Sequence, residues 1–178
     1  MKEYSKEIRA KAAKIDCIIC DVDGVLTDGA IIYDNNGLEL KRFNVKDGQI
    51  IKYLKNAGIK IGAITGRDSE VVRFRCNELK MDFHFHGVKN KDQALNEVKS
   101  ENDLALNQIA FIGDDLNDLP ILTQVGLSAT PADGHWAVKS NVDLVLDKAG
   151  GAGTLRELAD LVLTEKGLYQ GIIEGLKR

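Results

Sequence analysis

Short apolar runs alternate along this chain with segments in which apolar residues recur at helical spacing. The runs predict strands at residues 15–20, 59–64, 83–85, 108–112, 126–129 and 144–145. Most of these runs are almost continuously apolar, as expected for parallel strands covered on both faces. Helices are predicted between them at residues 47–57, 69–79 and 91–100. The pattern predicts an α/β fold: a doubly wound, mostly parallel sheet with helices on both faces.

Residues 30–43 interrupt this alternation. Two extended runs, residues 30–33 and 38–43, flank Asn36-Gly37, a strong signal for a hairpin turn. We therefore expect a small β-hairpin flap after the first strand. Residues 28–65 have room for this flap, one helix and one strand, so we expect no inserted cap domain.

The two ends of the chain carry different signals. Residues 1–14 are charged and contain alanine but have no apolar signal core, which predicts a short amphipathic helix. Residues 150–153 are Gly-Gly-Ala-Gly and lack the lysine and hydroxyl residue that end a nucleotide-binding loop. We expect a flexible, glycine-rich tail over about residues 149–178 that gates the site.

Composition narrows the class of protein. The chain has 178 residues, 44% of them hydrophobic, and a formal charge of -3, which suits one domain over residues 1–178. This charge gives no basic surface for nucleic acid, and no apolar stretch is long enough to span a membrane. We expect a cytoplasmic protein whose partners are small molecules and copies of itself.

Cys17 and Cys20 have the spacing of a redox or zinc motif. Residues three apart in a strand point to opposite faces, so the predicted strand argues against a shared metal or disulfide. With Cys76 in a helical pattern, we expect three buried structural thiols.

The strongest chemical signal is the pair Asp21 and Asp23, which ends the first apolar run. Alternation along an extended chain places both carboxylates on the same side. Two anions at the end of an apolar strand need a counter-charge, which Mg²⁺ or a bound ligand could supply.

Three further segments place chemical groups at predicted strand ends or helix starts. Thr65-Gly66-Arg67 offers a hydroxyl, an accessible backbone amide and a guanidinium, a combination suited to phosphate. Lys91 opens a helix, and Asp114, Asp115 and Asp118 follow another buried strand. Carboxyl ends of parallel strands meet at one edge of the sheet, so we expect these groups to converge there.

These segments, in this order, resemble the four motifs of the haloacid dehalogenase superfamily of phosphotransferases. The first motif is Asp21-Val22-Asp23-Gly24-Val25-Leu26-Thr27-Asp28, and the others are Thr65-Gly66-Arg67, Lys91 and Gly113-Asp114-Asp115-Leu116-Asn117-Asp118. The missing cap insertion resembles the capless subgroup.

The resemblance implies a Mg²⁺-dependent phosphatase. It implies that Asp21 is the nucleophile, that Asp23 is the general acid and base, and that Mg²⁺ is held by Asp21, the backbone carbonyl of Asp23 and Asp114. Phosphate oxygens would be held by Thr65, the Gly66 amide and Lys91. Asp115 and Asp118 would orient Lys91, the metal's waters or the loop.

Within the capless subgroup, four parts of the chain resemble the octulosonate 8-phosphate phosphatases: the segment 23–29, the flap, the segment 43–48 and the segment 150–157. This resemblance implies a phosphorylated keto-sugar acid as substrate, its carboxylate bound by Arg67, Lys46 or Arg156. It also implies a homotetramer in which neighbouring subunits cap each site. Many of these enzymes have arginine where this chain has Lys46, so a nonulosonate 9-phosphate phosphatase is an alternative.

Two other functional hypotheses remain open from the sequence. One is a non-catalytic binding module on a phosphatase scaffold, and the other is phosphoryl transfer to a second sugar. His84 and His86 share a strand face but lack a third ligand, so at most a minor substrate contact is expected of His86. Trp136 is expected to pack or to anchor an interface.

Overall fold

Eight strands are present in the computed structural model, which describes residues 3–177. They are β1 (Cys17–Cys20), β2 (Ile32–Tyr33), β3 (Glu39–Leu40), β4 (Lys60–Ile64), β5 (Phe83–Phe85), β6 (Ile109–Ile112), β7 (Leu127–Thr130) and β8 (Leu144–Val145). Six of them form one sheet in the order β5-β4-β1-β6-β7-β8, with every pairing parallel. The strand order reverses at β1, so a ligand site is expected at its carboxyl end.

Helices cover both faces of this sheet. They are α1 (Lys6–Ala12), α2 (Val45–Asn56), α3 (Glu70–Glu78), α4 (Lys91–Asn102), α5 (Leu119–Leu122), α6 (Trp136–Lys139), α7 (Thr154–Glu165) and α8 (Tyr169–Leu176). Buried residues of α1, α2, α3 and α7 pack on one face, and those of α4, α5 and α6 pack on the other. The predicted doubly wound fold is confirmed. Within residues 3–177, none of these helices is long and apolar enough to cross a bilayer.

The alternation of side chains along β1 divides the core in two. Ile18 and Cys20 belong to the core on the α2 and α7 face, whereas Cys17 and Ile19 belong to the opposite core. Cys17, Cys20 and Cys76 are all buried and free of disulfides. The expectation of structural thiols on opposite faces is confirmed.

The flap has the predicted turn but shorter strands than expected. β2 and β3 pair antiparallel over two residues each, instead of the predicted runs 30–33 and 38–43. Between them, Gly37 adopts φ +81° and its amide donates to the Asp34 carbonyl oxygen at 3.1 Å. This left-handed conformation is the reason for glycine at the turn.

The expectation of a flexible tail over residues 149–178 is wrong for most of its length. Residue 178 lies outside the described residues, as do residues 1 and 2 of the predicted N-terminal helix. Helix α7 is an integral part of the core, and seven of its residues are buried: Thr154, Leu155, Leu158, Ala159, Leu161, Val162 and Leu163.

The start of α7 is stabilised by a residue far away in the sequence. Its N-cap is Gly153, which has no side chain to cap the helix. The buried carboxylate of Asp47 accepts a hydrogen bond from the Arg156 amide at 2.8 Å instead. This contact is a reason for the aspartate in Val45-Lys46-Asp47-Gly48, because exposed amides at a helix start need an acceptor.

Candidate active site

A buried lysine joins two buried carboxylates at the carboxyl end of β1. Lys91, the first residue of α4, places Nζ 3.0 Å from Asp21 Oδ2 and 2.6 Å from Asp118 Oδ1. All three residues are at most 6% exposed. Burial raises the pKa of Asp21 to about 6, although the positive charge of Lys91 acts to lower it. Burial acts to lower the pKa of Lys91, but Asp21 and Asp118 outweigh this effect and the pKa is raised. The attraction between the ammonium of Lys91 and the two carboxylates compensates for the burial of all three charged groups.

The loop after β6 is shaped around Asp118. Its Oδ2 accepts hydrogen bonds from the amides of Asp114 at 2.9 Å and Asp115 at 3.3 Å. Asp115 Oδ1 accepts from the Leu116 amide at 2.7 Å and so caps the short 3₁₀ turn at Leu116–Asp118. Asp118 therefore both fixes the loop and orients Lys91.

Asp114 points its carboxylate toward the first motif. A Cβ atom added to Gly24 would lie 2.0 Å from Asp114 Oδ2, so the carboxylate occupies the space that the glycine leaves free. Gly24 also adopts φ +83°, where a side chain is strained. Burial raises the pKa of Asp114 to about 7, and the negative charges of Asp21, Asp118 and Asp115 add to the effect.

The donor set fits a divalent cation. One carboxylate oxygen from each of Asp21, Asp114 and Asp118 lies within 4.8 Å of the others. Hard cations such as Mg²⁺ prefer such oxygen ligands, and a cation would offset the burial and the mutual repulsion that raise the pKa values of Asp21 and Asp114. Both Asp118 oxygens are already engaged by Lys91 and by amides. The oxygens of Asp21 are engaged in the same way, by the Val22 amide and by Lys91. Asp21 is preferred to Asp118 as the side-chain ligand beside Asp114 because the family resemblance implies it.

Replacing Gly24 with alanine is expected to damage this cluster severely. The added Cβ would collide with Asp114 Oδ2 and impose strain at a positive φ. We expect at least about a hundredfold loss of kcat/KM for any phosphate ester that the wild type hydrolyses, because misplaced charged groups lose most of their catalytic effect. Gly37→Ala, which also changes a positive-φ glycine but meets no atom within 4 Å, is the control. Equal activity of the two variants would contradict the close packing of Asp114 on Gly24.

Thr65 and Gly66 lie at the end of the neighbouring strand β4. Thr65 is buried, and its backbone bonds to Phe85 and Val88 fix the loop. A Cβ added to Gly66 would come within 3.6 Å of Asn117 Nδ2, so the β4 loop and the β6 loop approach each other here. The structure thus brings the Thr65 loop to the Asp114 loop, as the sequence predicts.

Asp23 lies beside cations from two other segments. Arg67 Nε is 3.6 Å from Asp23 Oδ2, and Lys41 of the flap forms an ion pair with Asp23 Oδ1. Glu39 joins the group, with Oε1 3.0 Å from Arg67 Nη2 and 3.4 Å from Lys41 Nζ. These side chains connect the flap to the first two motifs.

Sequence reasoning missed Lys41 and Glu39. A signal was available, because alternation in the extended flap places Glu39 and Lys41 on one face, while Leu38 and Leu40 occupy the other. A charged pair beside an exposed apolar pair indicates that one face of the flap turns toward a charged site.

Two expected substrate contacts, Lys46 and Arg156, form no hydrogen bond or ion pair with this cluster in the part of the chain that the structure describes. Lys46 is exposed in the first turn of α2. The Arg156 guanidinium bonds to Asp160 Oδ1 at 2.7 Å and to the Tyr169 hydroxyl at 2.8 Å. Their roles in substrate binding stay predictions.

The two strand histidines bond to each other. His84 Nδ1 lies 2.8 Å from His86 Nε2, and His84 Nε2 lies 3.1 Å from Asn77 Oδ1. Burial lowers the pKa of His86, as do the charges of Arg73 and His84. The mutual contact agrees with a structural pair.

Comparison with known proteins identifies the family. A haloacid dehalogenase-like hydrolase model matches residues 85–158. The chain is 41% identical over 163 residues to the 3-deoxy-D-manno-octulosonate 8-phosphate phosphatase KdsC of Escherichia coli, covering 92% of this chain and 87% of the relative.

Solved structures agree with this result. The 3-deoxy-D-manno-octulosonate 8-phosphate phosphatase of Yersinia pestis superposes with TM-score 0.93 at 38% identity, over 94% of this chain and 91% of that one. The Moraxella catarrhalis enzyme, solved in complex with magnesium ion, phosphate ion and a KDO molecule, superposes with TM-score 0.93 at 35% identity, over 97% and 99% of the two chains. The chain therefore belongs to the haloacid dehalogenase-like hydrolases, within the family of 3-deoxy-D-manno-octulosonate 8-phosphate phosphatases.

Proposed function

We propose that this chain is a Mg²⁺-dependent phosphatase of 3-deoxy-D-manno-octulosonate 8-phosphate, acting as one domain over residues 1–178. The observation that carries the proposal is the buried group of Asp21, Lys91 and Asp118 beside the carboxylate of Asp114, at the carboxyl edge of the sheet. The relatives of this chain are phosphatases named for the same substrate, which supports both the proposed reaction and the proposed sugar.

Asp21 is the proposed nucleophile. Its Oδ1 accepts the Val22 amide at 2.7 Å and its Oδ2 contacts Lys91, so the carboxylate is rigidly oriented before substrate binds. An oxygen of Asp21 attacks phosphorus, and the bond from phosphorus to the sugar oxygen breaks. The resulting aspartyl-phosphate is then hydrolysed by water, which divides one difficult displacement into two.

Mg²⁺ would be held by the side chains of Asp21 and Asp114 and by the backbone carbonyl of Asp23. When bound, it neutralises charge between the carboxylates and the incoming phosphate dianion. Asp118 stays in its role of holding Lys91 and the amides of the loop.

The phosphate oxygens need hydrogen-bond donors near the carboxylates. We propose that Thr65 donates its hydroxyl, Gly66 its amide and Lys91 part of its ammonium. These donors stabilise the charge of the phosphoryl group as it passes between oxygen atoms. Because Lys91 also contacts Asp21, the same ammonium would orient both the nucleophile and the phosphoryl group that it attacks.

Asp23 is the proposed general acid and base. It lies two residues after Asp21 and faces the flap. It gives a proton to the departing sugar oxygen and later takes one from the attacking water.

The sugar carboxylate needs cations beyond the phosphate site. We propose Arg67 as the main contact, because its side chain is 40% exposed and lies next to Asp23. Lys46 and Arg156 remain further candidates, each requiring its side chain to turn toward the sugar.

We also propose a homotetramer in which neighbouring subunits cover the open side of each site. The flap presents five exposed apolar side chains: Ile31, Ile32, Tyr33, Leu38 and Leu40. Exposed apolar groups clustered in this way mark protein contacts. Light scattering coupled to gel filtration tests this; a monomer at working concentrations would contradict it.

Stabilisation by Mg²⁺ is expected to depend strongly on pH. The pKa values of about 7 for Asp114 and about 6 for Asp21 lie above the unfolded value of 3.8. These groups therefore contribute stability to the metal-free fold below the unfolded pKa of 3.8, and this contribution is lost as pH rises from that value through 6 and 7. Metal binding needs the ionised forms. We expect saturating Mg²⁺ to raise Tm more at pH 8 than at pH 5, and Asp114→Asn to remove most of this difference; an equal rise at both pH values would contradict the assignment.

The substrate is tested with a panel of phosphate esters at matched concentration. We expect the highest kcat/KM for the octulosonate 8-phosphate, with activity lost in EDTA and restored by Mg²⁺. A preference for nonulosonate 9-phosphates would show that the enzyme is a nonulosonate 9-phosphate phosphatase instead. Absence of hydrolysis of every ester would favour a binding module, and sugar release exceeding phosphate release would indicate transfer to a second sugar.

A further inference from the structure

The side chain of Lys41 is buried although it extends from an exposed flap. Its side chain has no exposed area, and its ammonium pairs with Asp23 Oδ1 and lies 3.4 Å from Glu39 Oε1. Burying a lysine is costly unless it is paired, so the two carboxylates account for its position.

The two oxygens of Asp23 are thereby made different. Oδ1 contacts Lys41 and also accepts the Thr27 hydroxyl at 3.4 Å. Among the residues described, Oδ2 is buried and accepts no hydrogen bond. It faces Arg67 Nε at 3.6 Å, and that atom is also buried without a hydrogen-bond partner. One oxygen is anchored and the other is left free beside a cation.

We propose that Lys41 is a positioning residue for the proton transfer of the proposed phosphatase reaction, because it anchors Oδ1 and leaves Oδ2 as the oxygen that exchanges the proton. In the first step, the proton on Oδ2 passes to the sugar oxygen as its bond to phosphorus breaks and the Asp21–phosphorus bond forms. In the second step, Oδ2 takes a proton from the water that attacks phosphorus and releases Asp21. This inference rests on the proposed function.

The position of Lys41 depends on the loop that cradles phosphate. Glu39, which contacts Lys41, also accepts the Ser69 hydroxyl and an Arg67 N–H at 3.0 Å. Arg67 is the residue after Gly66, and Ser69, two residues further on, is the N-cap of α3. Placement of the flap is thus linked through Glu39 to the second motif, so Asp23 is correctly oriented when the flap rests on the phosphate loop.

The basicity of the leaving group separates this role from a merely structural one. A sugar alkoxide is a strong base and needs a proton in order to depart, whereas p-nitrophenolate departs without one. A residue that positions the general acid should therefore affect the release of the sugar much more than that of nitrophenolate. A general loss of structure would slow both.

The test is Lys41→Met, with enzyme in excess over substrate, so that the first departure of the leaving group is measured. We expect sugar release from the sugar phosphate to slow by at least about thirtyfold and nitrophenolate release from p-nitrophenyl phosphate to change by less than about threefold. Arg42→Met is the matched control, because the neighbouring Arg42 is 80% exposed and pairs with Asp28; both of its rates should stay at the wild-type level. Equal slowing of both substrates by Lys41→Met would overturn the inference.

Two further variants distinguish the proposed role from misfolding. Lys41→Arg keeps the positive charge and should recover much of the lost sugar release, and Glu39→Gln should give a smaller loss with the same dependence on leaving group. An unchanged rate of sugar release in Lys41→Met would also overturn the inference. If the wild type itself releases neither leaving group in the presence of Mg²⁺, the proposed function fails, and the inference fails with it.

Discussion

Replacing Asp21 with asparagine is expected to reduce phosphate release by about ten-thousandfold or more, because an amide oxygen is a poor nucleophile toward phosphorus. Asparagine has nearly the same shape, and Lys91 keeps its 2.6 Å contact with Asp118, so the fold should survive. The measurement is steady-state phosphate release with Mg²⁺, together with a thermal melt.

Asp28→Asn is the control for this substitution. Asp28 lies in the same motif, but its carboxylate pairs with the exposed Arg42 and not with the buried cluster. It should retain activity close to that of the wild type. A rate for Asp21→Asn within about tenfold of the wild type would contradict covalent catalysis at this carboxylate.

Ending the chain after Gly150 is expected to prevent folding. This change removes α7 and its seven buried residues, among them four leucines. Each buried leucine contributes roughly 2–5 kcal/mol, and a domain has a total stability of about 5–15 kcal/mol. The fragment should therefore show no cooperative thermal transition by circular dichroism.

A chain that ends after Gly167 is the matched control. It loses α8, none of whose residues is buried, and keeps α7. We expect a cooperative transition within several degrees of the wild type. Cooperative folding of the shorter fragment, with loss of activity alone, would support a gating tail and contradict the core role of α7.

The sheet and the four motifs could be predicted because their signals are local. Each central strand is a short apolar run, and the chemical groups follow at the end of the run, as with Asp21 after β1 and Thr65 after β4. In a parallel sheet such ends meet at one edge, so position along the chain determines position in space. The convergence of Asp21 and Asp114 needed no further information.

The role of the C-terminal segment could not be predicted in this way. Four residues rich in glycine suggested flexibility, but the amides that follow them are capped by Asp47, more than a hundred residues earlier. Glycine is required there by close packing, since a Cβ on Gly150 would lie 2.0 Å from the Gly24 carbonyl oxygen. Contacts between distant segments decide whether glycine marks a hinge or a close approach.

Lys41 was missed for a related reason. In sequence it is one lysine on a short hairpin, and most lysines are exposed. Its burial depends on the way the flap folds back onto Asp23, which the local pattern does not specify. The shared face of Glu39 and Lys41 is the one local feature that indicates a charged contact of the flap.

The most direct test of the account is to locate the phosphoryl group during turnover. Wild-type enzyme mixed with labelled sugar phosphate and Mg²⁺ is quenched in acid within one turnover, and the protein is reduced with borohydride and mapped by peptide mass spectrometry. We predict an acyl phosphate whose reduction converts Asp21, and no other aspartate, into homoserine. Sugar release in that first turnover without homoserine at position 21, or with homoserine in place of another aspartate, would contradict the mechanism.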